Sequence, residues 1–301
     1  LPFDLQGQLH DTQLRPFLEM LTDHPSAFGG HIRAGLQVSG QISDLEATRV
    51  RLTLDDLMVS SPSGALSLTT PSTARWVDET LHLDSLRLAG SAGEMDVTGV
   101  ASRRGPIHLK YRLTRLALPY VASFLDIRAE THGDLSGYLD VSGVLAAPII
   151  GGGIGVEGLR LGTSEVGDLQ ARFSSADGMA HLEELELRLP RGGTVTGTAS
   201  FPVAVGEQTT ARSVHAEVHV DSVSLDTAQG LPPEVVVTMA GRVSAHGKDW
   251  DGASLDVILH ADQLSVATAD HTARSADPVM VHWQRGDLRA STAHFVVAEN
   301  A

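Results

Sequence analysis

Along most of the chain, apolar and polar residues alternate one by one. Val50-Arg51-Leu52-Thr53-Leu54, Leu185-Glu186-Leu187-Arg188-Leu189 and Val214-His215-Ala216-Glu217-Val218-His219-Val220 show the pattern. Successive side chains on a strand point to opposite faces, so each run predicts a strand with one apolar and one polar face. Ser63-Gly64, Asp177-Gly178 and Arg285-Gly286-Asp287 supply turn signals between the runs. Helical signal is confined to short stretches. Asp11 can cap a helix over Thr12 to Leu21, and Pro119 can open one or two turns through Leu125. The apolar-acidic stretch from Ser224 to Gln229, before Leu231-Pro232-Pro233, sits in a similar place but is too weak to predict a helix.

The pattern repeats. Val38-Ser39-Gly40, Val141-Ser142-Gly143 and the more degenerate Ala245-His246-Gly247 each close a strand, their glycines 103 and 104 residues apart. Each is followed by an alternating strand: Val50, Leu52, Leu54 and Leu57; Ile154, Val156, Leu159 and Leu161; Val257, Leu259 and Leu264. Later in the unit, His82-Leu83-Asp84-Ser85-Leu86-Arg87-Leu88 matches His181-Leu182-Glu183-Glu184-Leu185-Glu186-Leu187. Both carry two polar residues where one is expected, which would turn the apolar face outward unless a β-bulge absorbs the extra residue. Bulges are therefore predicted at Asp84-Ser85 and Glu183-Glu184, with Ser291-Thr292 in the third place. Trp76, Phe173 and Trp283 occupy comparable positions before the bulged strand and read as aromatics packing the sheet.

Gly153-Ile-Gly155-Val-Glu-Gly158 satisfies the G-x-G-x-x-G of dinucleotide-binding loops. Such a loop needs a helix directly after it, so that backbone N–H groups and the helix dipole meet the pyrophosphate. Here Val156-Glu157-Gly158-Leu159-Arg160-Leu161 alternates as a strand. The glycines are read as a softened bend in that strand.

Composition narrows the chemistry. The net charge of −15, without a basic run, disfavours nucleic acid as a partner. Absent cysteines exclude disulfides and thiolate metal sites. The longest uncharged apolar stretch, Val141 to Val156, is broken by Pro148 and three glycines and falls short of the roughly 20 residues a spanning helix needs. A start at Leu1 suggests a processed piece. His215 and His219 share a strand face about 13 Å apart, too far to chelate one metal, and are read as solvated beside Glu217. Asp55-Asp56, Asp249-Trp250-Asp251 and Glu183-Glu184 place carboxylates where acidic residues are ordinary. Neither a Ser-His-Asp set nor H-E-x-x-H is present, so no enzyme, cofactor or metal site is expected.

The spacing of Leu118-Pro119-Tyr120 to Leu125, Gly133-Asp-Leu-Ser-Gly137-Tyr-Leu-Asp-Val-Ser-Gly143, Pro148-Ile-Ile-Gly151, Glu165-Val-Gly-Asp168-Leu and Asp177-Gly178 resembles the TamB family of AsmA-like envelope proteins of diderm bacteria. The resemblance runs from about Leu14 to the end. It implies an elongated curled antiparallel sheet, a β-taco or β-groove, of about three repeats over 12–116, 117–222 and 223–301, forming one continuous groove with short helices at the repeat boundaries. It also implies a periplasmic protein held in the inner membrane by an N-terminal anchor outside this sequence. The implied function is bridge-like transport of phospholipid acyl chains between membranes, with an outer-membrane barrel of the Omp85 type as partner. The second function class is a scaffold for assembly of outer-membrane or secreted β-proteins, pairing through strand edges.

On this reading the groove is lined by Val38, Val50, Leu52, Leu54, Leu57, Leu83, Leu86, Leu88, Leu139, Val141, Ile154, Val156, Leu159, Leu161, Leu182, Leu185, Leu187, Val214, Val218, Val220, Val257, Leu259 and Leu264. Phe17, Leu18, Leu21, Tyr120 and Phe124 are expected where the short helices cross its mouth. The bland counterpart is a dry core filled by the same aliphatics.

Overall fold

A computed structural model describes residues 2–16, 19, 28–41, 44–124, 130–145, 147–176, 178–202, 213–225, 232, 235–248 and 254–299. The chain is all-β, and every strand pair whose register is described is antiparallel. It divides into two compact units, Leu1–Ile154 and Gly155–Ala301.

The first unit holds β1 (Pro2–Gln13), β2 (Gly29–Gln41), β3 (Asp44–Ser61), β4 (Gly64–Leu68), β5 (Ser72–Val77), β6 (Thr80–Gly90), β7 (Gly93–Ser102), β8 (Ile107–Ala117), the helix α1 (Leu118–Phe124) and β9 (Thr131–Val144). Strand β10 (Ala147–Leu161) crosses the division. Neighbours in sequence pair throughout, except that β4 and β5 share one place: both pair with β3 on one side and β6 on the other.

The second unit holds the end of β10, then β11 (Ser164–Ala176), β12 (Met179–Arg188), β13 (Thr194–Pro202), β14 (Val214–Leu225), β15 (Val236–Gly247), β16 (Asp256–Ala267), β17 (His271–Ser275), β18 (Val279–Gln284), β19 (Asp287–Ala290) and β20 (Phe295–Glu299). Here β17 and β18 divide the edge of β16 as β4 and β5 divide that of β3.

Register makes the amphipathic pattern two-dimensional, because directly paired residues lie on the same face. In the first unit Leu36, Leu52, Ala74, Leu83, Gly99, Leu109 and Val141 form one cross-strand row. A parallel row runs Leu5, Val38, Val50, Trp76, Leu81, Ala101 and Ile107. On the opposite face Arg87, Asp96 and Arg112 line up, with Arg87 Nε 2.6 Å from Asp96 Oδ2. In the second unit one face carries the apolar row Ala171, Leu185, Gly197, Val218, Val243, Leu259 and Val281.

Bulges keep these rows on one face. Asp84-Ser85 stand opposite one residue between the Leu83–Gly99 and Leu86–Val97 pairs, and Glu183-Glu184 do so between Leu182–Ala199 and Leu185–Gly197. Both are where the doubled polar residues place them. Further bulges recur at fixed places in the repeat. One set interrupts β1, β8 and β14, with Asp11, Arg115 and Ser222 at φ of 48°, 47° and 54°. Another interrupts β3 at Asp55-Asp56 and β16 at Asp262. Glu157-Gly158 of β10 holds the matching place, with Gly158 at φ 62°.

Two expectations need correction. Thr12 and Gln13 belong to β1 and Asp11 to its bulge, so no helix starts there. The cross-strand partners of β2 hold these residues in the ladder, which outweighs the local capping signal. Arg15, Pro16 and Glu19 are helical, while Phe17, Leu18 and Leu21 lie outside the described residues. Ser291-Thr292 is not a bulge: it lies in a break between β19 and β20, which pair with different strands, β18 and β17. That break does what the bulge does in β6, since β6 pairs β5 through one half and β4 through the other.

Candidate functional site

The strongest candidate is the apolar face of the first unit, which changes character along its strands. At one set of strand ends it is closed. Leu66 is 2% exposed, Leu88, Ala92, Leu116 and Leu135 are buried, and α1 packs against β8 and β9, which carry Leu116 and Leu135. Tyr120 of α1 meets Phe28 edge to face, their ring centroids 5.3 Å apart, and its hydroxyl donates to the Val59 carbonyl at 3.3 Å. Val59 is in β3 and α1 follows β8, so this ring spans the strands between and the sheet curls beneath it. Burial raises the Tyr120 pKa above its ordinary value. Pro119 after Leu118 permits the turn into the helix, since its lost N–H falls in the first turn.

Towards the other strand ends the face opens. Leu36 is 40% exposed, Leu81 38%, Leu9 40% and Leu5 62%, whereas Ile107 in the same region is buried. Half-buried Leu52, Val50, Leu83, Leu139 and Val141 lie between. The face from β1 to β9 spans seven ladder steps, about 34 Å of sheet contour at ~4.8 Å per step.

The bulges are completed by side chains rather than by the ladder. An unpaired buried backbone group costs about 1–3 kcal/mol. The buried Ser72 hydroxyl donates to the Ser85 carbonyl. The Arg115 N–H donates to Ser136 Oγ at 3.0 Å, the Leu264 N–H to Ser275 Oγ at 3.1 Å, and the Gly158 N–H to Asp168 Oδ1 at 2.8 Å.

The sequence-derived lining residues fall on the apolar faces of both units. Val38, Val50, Leu52, Leu54, Leu57, Leu83, Leu86, Leu88, Leu139 and Val141 share the face of the first. Leu182, Leu185, Leu187, Val214, Val218, Val220, Val257, Leu259 and Leu264 share that of the second. On β10, Val156 is buried and Leu161 is 48% exposed. Trp76, Phe173 and Trp283 also lie in these rows, opposite Leu81, Leu182 and Leu288. Leu5, Leu9 and Leu36 were missed, although Leu36 alternates with Val38; β1 was not recognised as a strand, so its leucines had no partner row. Asp249-Trp250-Asp251 lie outside the described residues, as does the side chain of Phe124.

Gly153-Ile-Gly155-Val-Glu-Gly158 lies within β10, and no helix follows it. Nothing lies within 4 Å of a Cβ built at Gly151, but one at Gly137 would meet the Gly153 carbonyl oxygen at 2.4 Å. The close approach therefore belongs to β9. Among the described residues no group of three or more His, Asp or Glu is placed to hold a metal ion, and no helix is long and apolar enough to cross a membrane.

No protein-family model matches the chain, and neither does any curated protein or solved structure.

Proposed function

We propose that the apolar face of this sheet carries the acyl chains of phospholipids in bridge-like transport between two membranes. One observation carries the reading: leucines in register with half-buried apolar rows, Leu36 and Leu81, remain more than a third exposed. A contiguous apolar surface left open to solvent marks a ligand or partner. Hydrocarbon fits it, since each CH₂ taken from water contributes about 0.8 kcal/mol and needs no polar partner. A row of aliphatics differing little from strand to strand holds such a chain with a nearly level energy along it. The 34 Å contour exceeds one acyl chain, which fills about half of a ~30 Å hydrocarbon core. The resemblance to the TamB family supplies the periplasmic setting and the Omp85-type partner of this proposal.

The test places a photoactivatable benzophenone side chain at Leu36 or Leu81, and at Arg51 and Arg112 on the opposite face. After incubation with phospholipid vesicles and irradiation, lipid adducts are expected from the two leucine positions and not from the arginines. Adducts at all four, or at none, overturn the reading.

A further inference from the structure

The polar face of the second unit brings together two histidines that alternation alone does not pair. His215 of β14 and His246 of β15 are direct cross-strand partners. Their Nδ1 atoms are 2.9 Å apart, with ring centroids at 4.5 Å and planes tilted by 40°. Both side chains are exposed. In neutral rings one Nδ1–H donates to the other Nδ1, so two nitrogens converge on a space that one proton fills.

We propose that this pair is a binding site for a divalent transition-metal ion of the copper and nickel class. An ion about 2.0 Å from each nitrogen would make an N–M–N angle of about 90° at this separation. That is a cis angle of square-planar or tetragonal coordination, whereas tetrahedral zinc prefers wider. Binding requires both Nδ1 lone pairs, so the donor ring moves its proton from Nδ1 to Nε2 through solvent and a neutral pair releases no net proton.

Among the described residues, the surroundings leave the remaining positions to water. Asp256 is the partner of His246 on its other side, but its carboxylate is held by His282 and Gln284. Beyond His215 lies an open cleft of about 430 Å³ lined by Ser174, His181, Glu183, Thr198 and Ser200. With two protein ligands the site is open and exchangeable. It lies on the opposite face from the apolar rows, so its fate is independent of lipid carriage.

The experiment titrates the protein with Cu²⁺, Ni²⁺ and Zn²⁺ separately, by calorimetry and by electron paramagnetic resonance for copper. One Cu²⁺ per chain, bound more tightly than Ni²⁺ and Zn²⁺, with hyperfine structure from two nitrogens, is expected. His215→Gln and His246→Gln each weaken copper binding at least tenfold, whereas His219→Gln, on the same strand face, leaves it unchanged. All three side chains are exposed, and circular dichroism checks that the variants remain folded. Equal losses in all three variants, or no saturable copper binding, would overturn the site.

Discussion

The two ends of the strands in the first unit are built from the same residue types and do different things. At the helix-covered end, Leu66, Leu88 and Leu116 are buried, and Tyr120 of α1 closes onto Phe28 and Val59. At the other, Leu36 and Leu81 continue the apolar face yet stand partly in solvent. Alternation prepares both ends equally; the end that carries the seven-residue helix is the one that becomes a core. Stability is therefore concentrated at the covered end, and the open stretch contributes less to it.

Inserting one serine between Ser85 and Leu86 adds a residue that the bulge does not absorb and turns Leu86 and Leu88 to the polar face while leaving Leu81 in place. Exposing two leucines costs about 3–6 kcal/mol. Urea unfolding is expected to show that loss, and hydrogen exchange to locate it in β6 and β7 at the covered end; unchanged protection there would break the contrast.

Tyr120→Ala removes the ring that closes this end, for a loss of about 3–5 kcal/mol by analogy with large aromatic truncations. Leu81→Ala, half in water already, should cost less than about 1.5 kcal/mol. Similar midpoint shifts for the two variants would mean that the ends are energetically alike.

Alkaline pH tests the closure through one group. The folded-state pKa of Tyr120 is raised above the unfolded value by burial, so its contribution is intact below the ordinary tyrosine range near pH 10 and lost as pH climbs through the folded value. Tyr120→Phe should be the less stable protein at pH 8, by the roughly 0.5–1.5 kcal/mol of the bond to Val59. That deficit should shrink or reverse above pH 10, as read from thermal unfolding of both proteins. A constant deficit would place Tyr120 outside the closed end.

The smallest effect is at a bulge. Arg115 holds φ at 47°, where glycine rests without strain. Arg115→Gly should raise the unfolding midpoint by the equivalent of about 0.5–1 kcal/mol, less any packing the arginine provides. A fall would show that the side chain, not the backbone, holds that corner.

Much of this was legible from residue order. Alternation gave the strands and their faces, and the doubled polar residues located Asp84-Ser85 and Glu183-Glu184. The same signature also stands at Leu54-Asp-Asp-Leu57, Leu113-Thr-Arg-Leu116, Val220-Asp-Ser-Val223 and Ala261-Asp-Gln-Leu264, and every one is a bulge. Their signal was present and went unused because only one strand per repeat was compared. His10-Asp11 escaped because aspartate before a proline-containing apolar stretch also reads as a helix cap. What lay beyond residue order was depth. Leu81 and Leu88 are alike as letters, and only their places in the fold, Leu88 at the closed strand ends and Leu81 at the open ones, make one buried and the other exposed. The meeting of His215 with His246 was equally hidden, because it depends on the register between β14 and β15.

The hydroxyls and the carboxylate that complete some of these bulges carry a consequence for how such a chain can drift. Leucine, valine and isoleucine can trade places along a row at modest cost, since any of them fills the space. Ser72 and Ser275 have less freedom: an alanine there strands the partly buried Ser85 carbonyl or Leu264 amide, whereas the exposed amides that Ser136 and Asp168 serve can turn to water. Under random substitution the greasy letters would scramble first, and a few small polar residues would keep the beat.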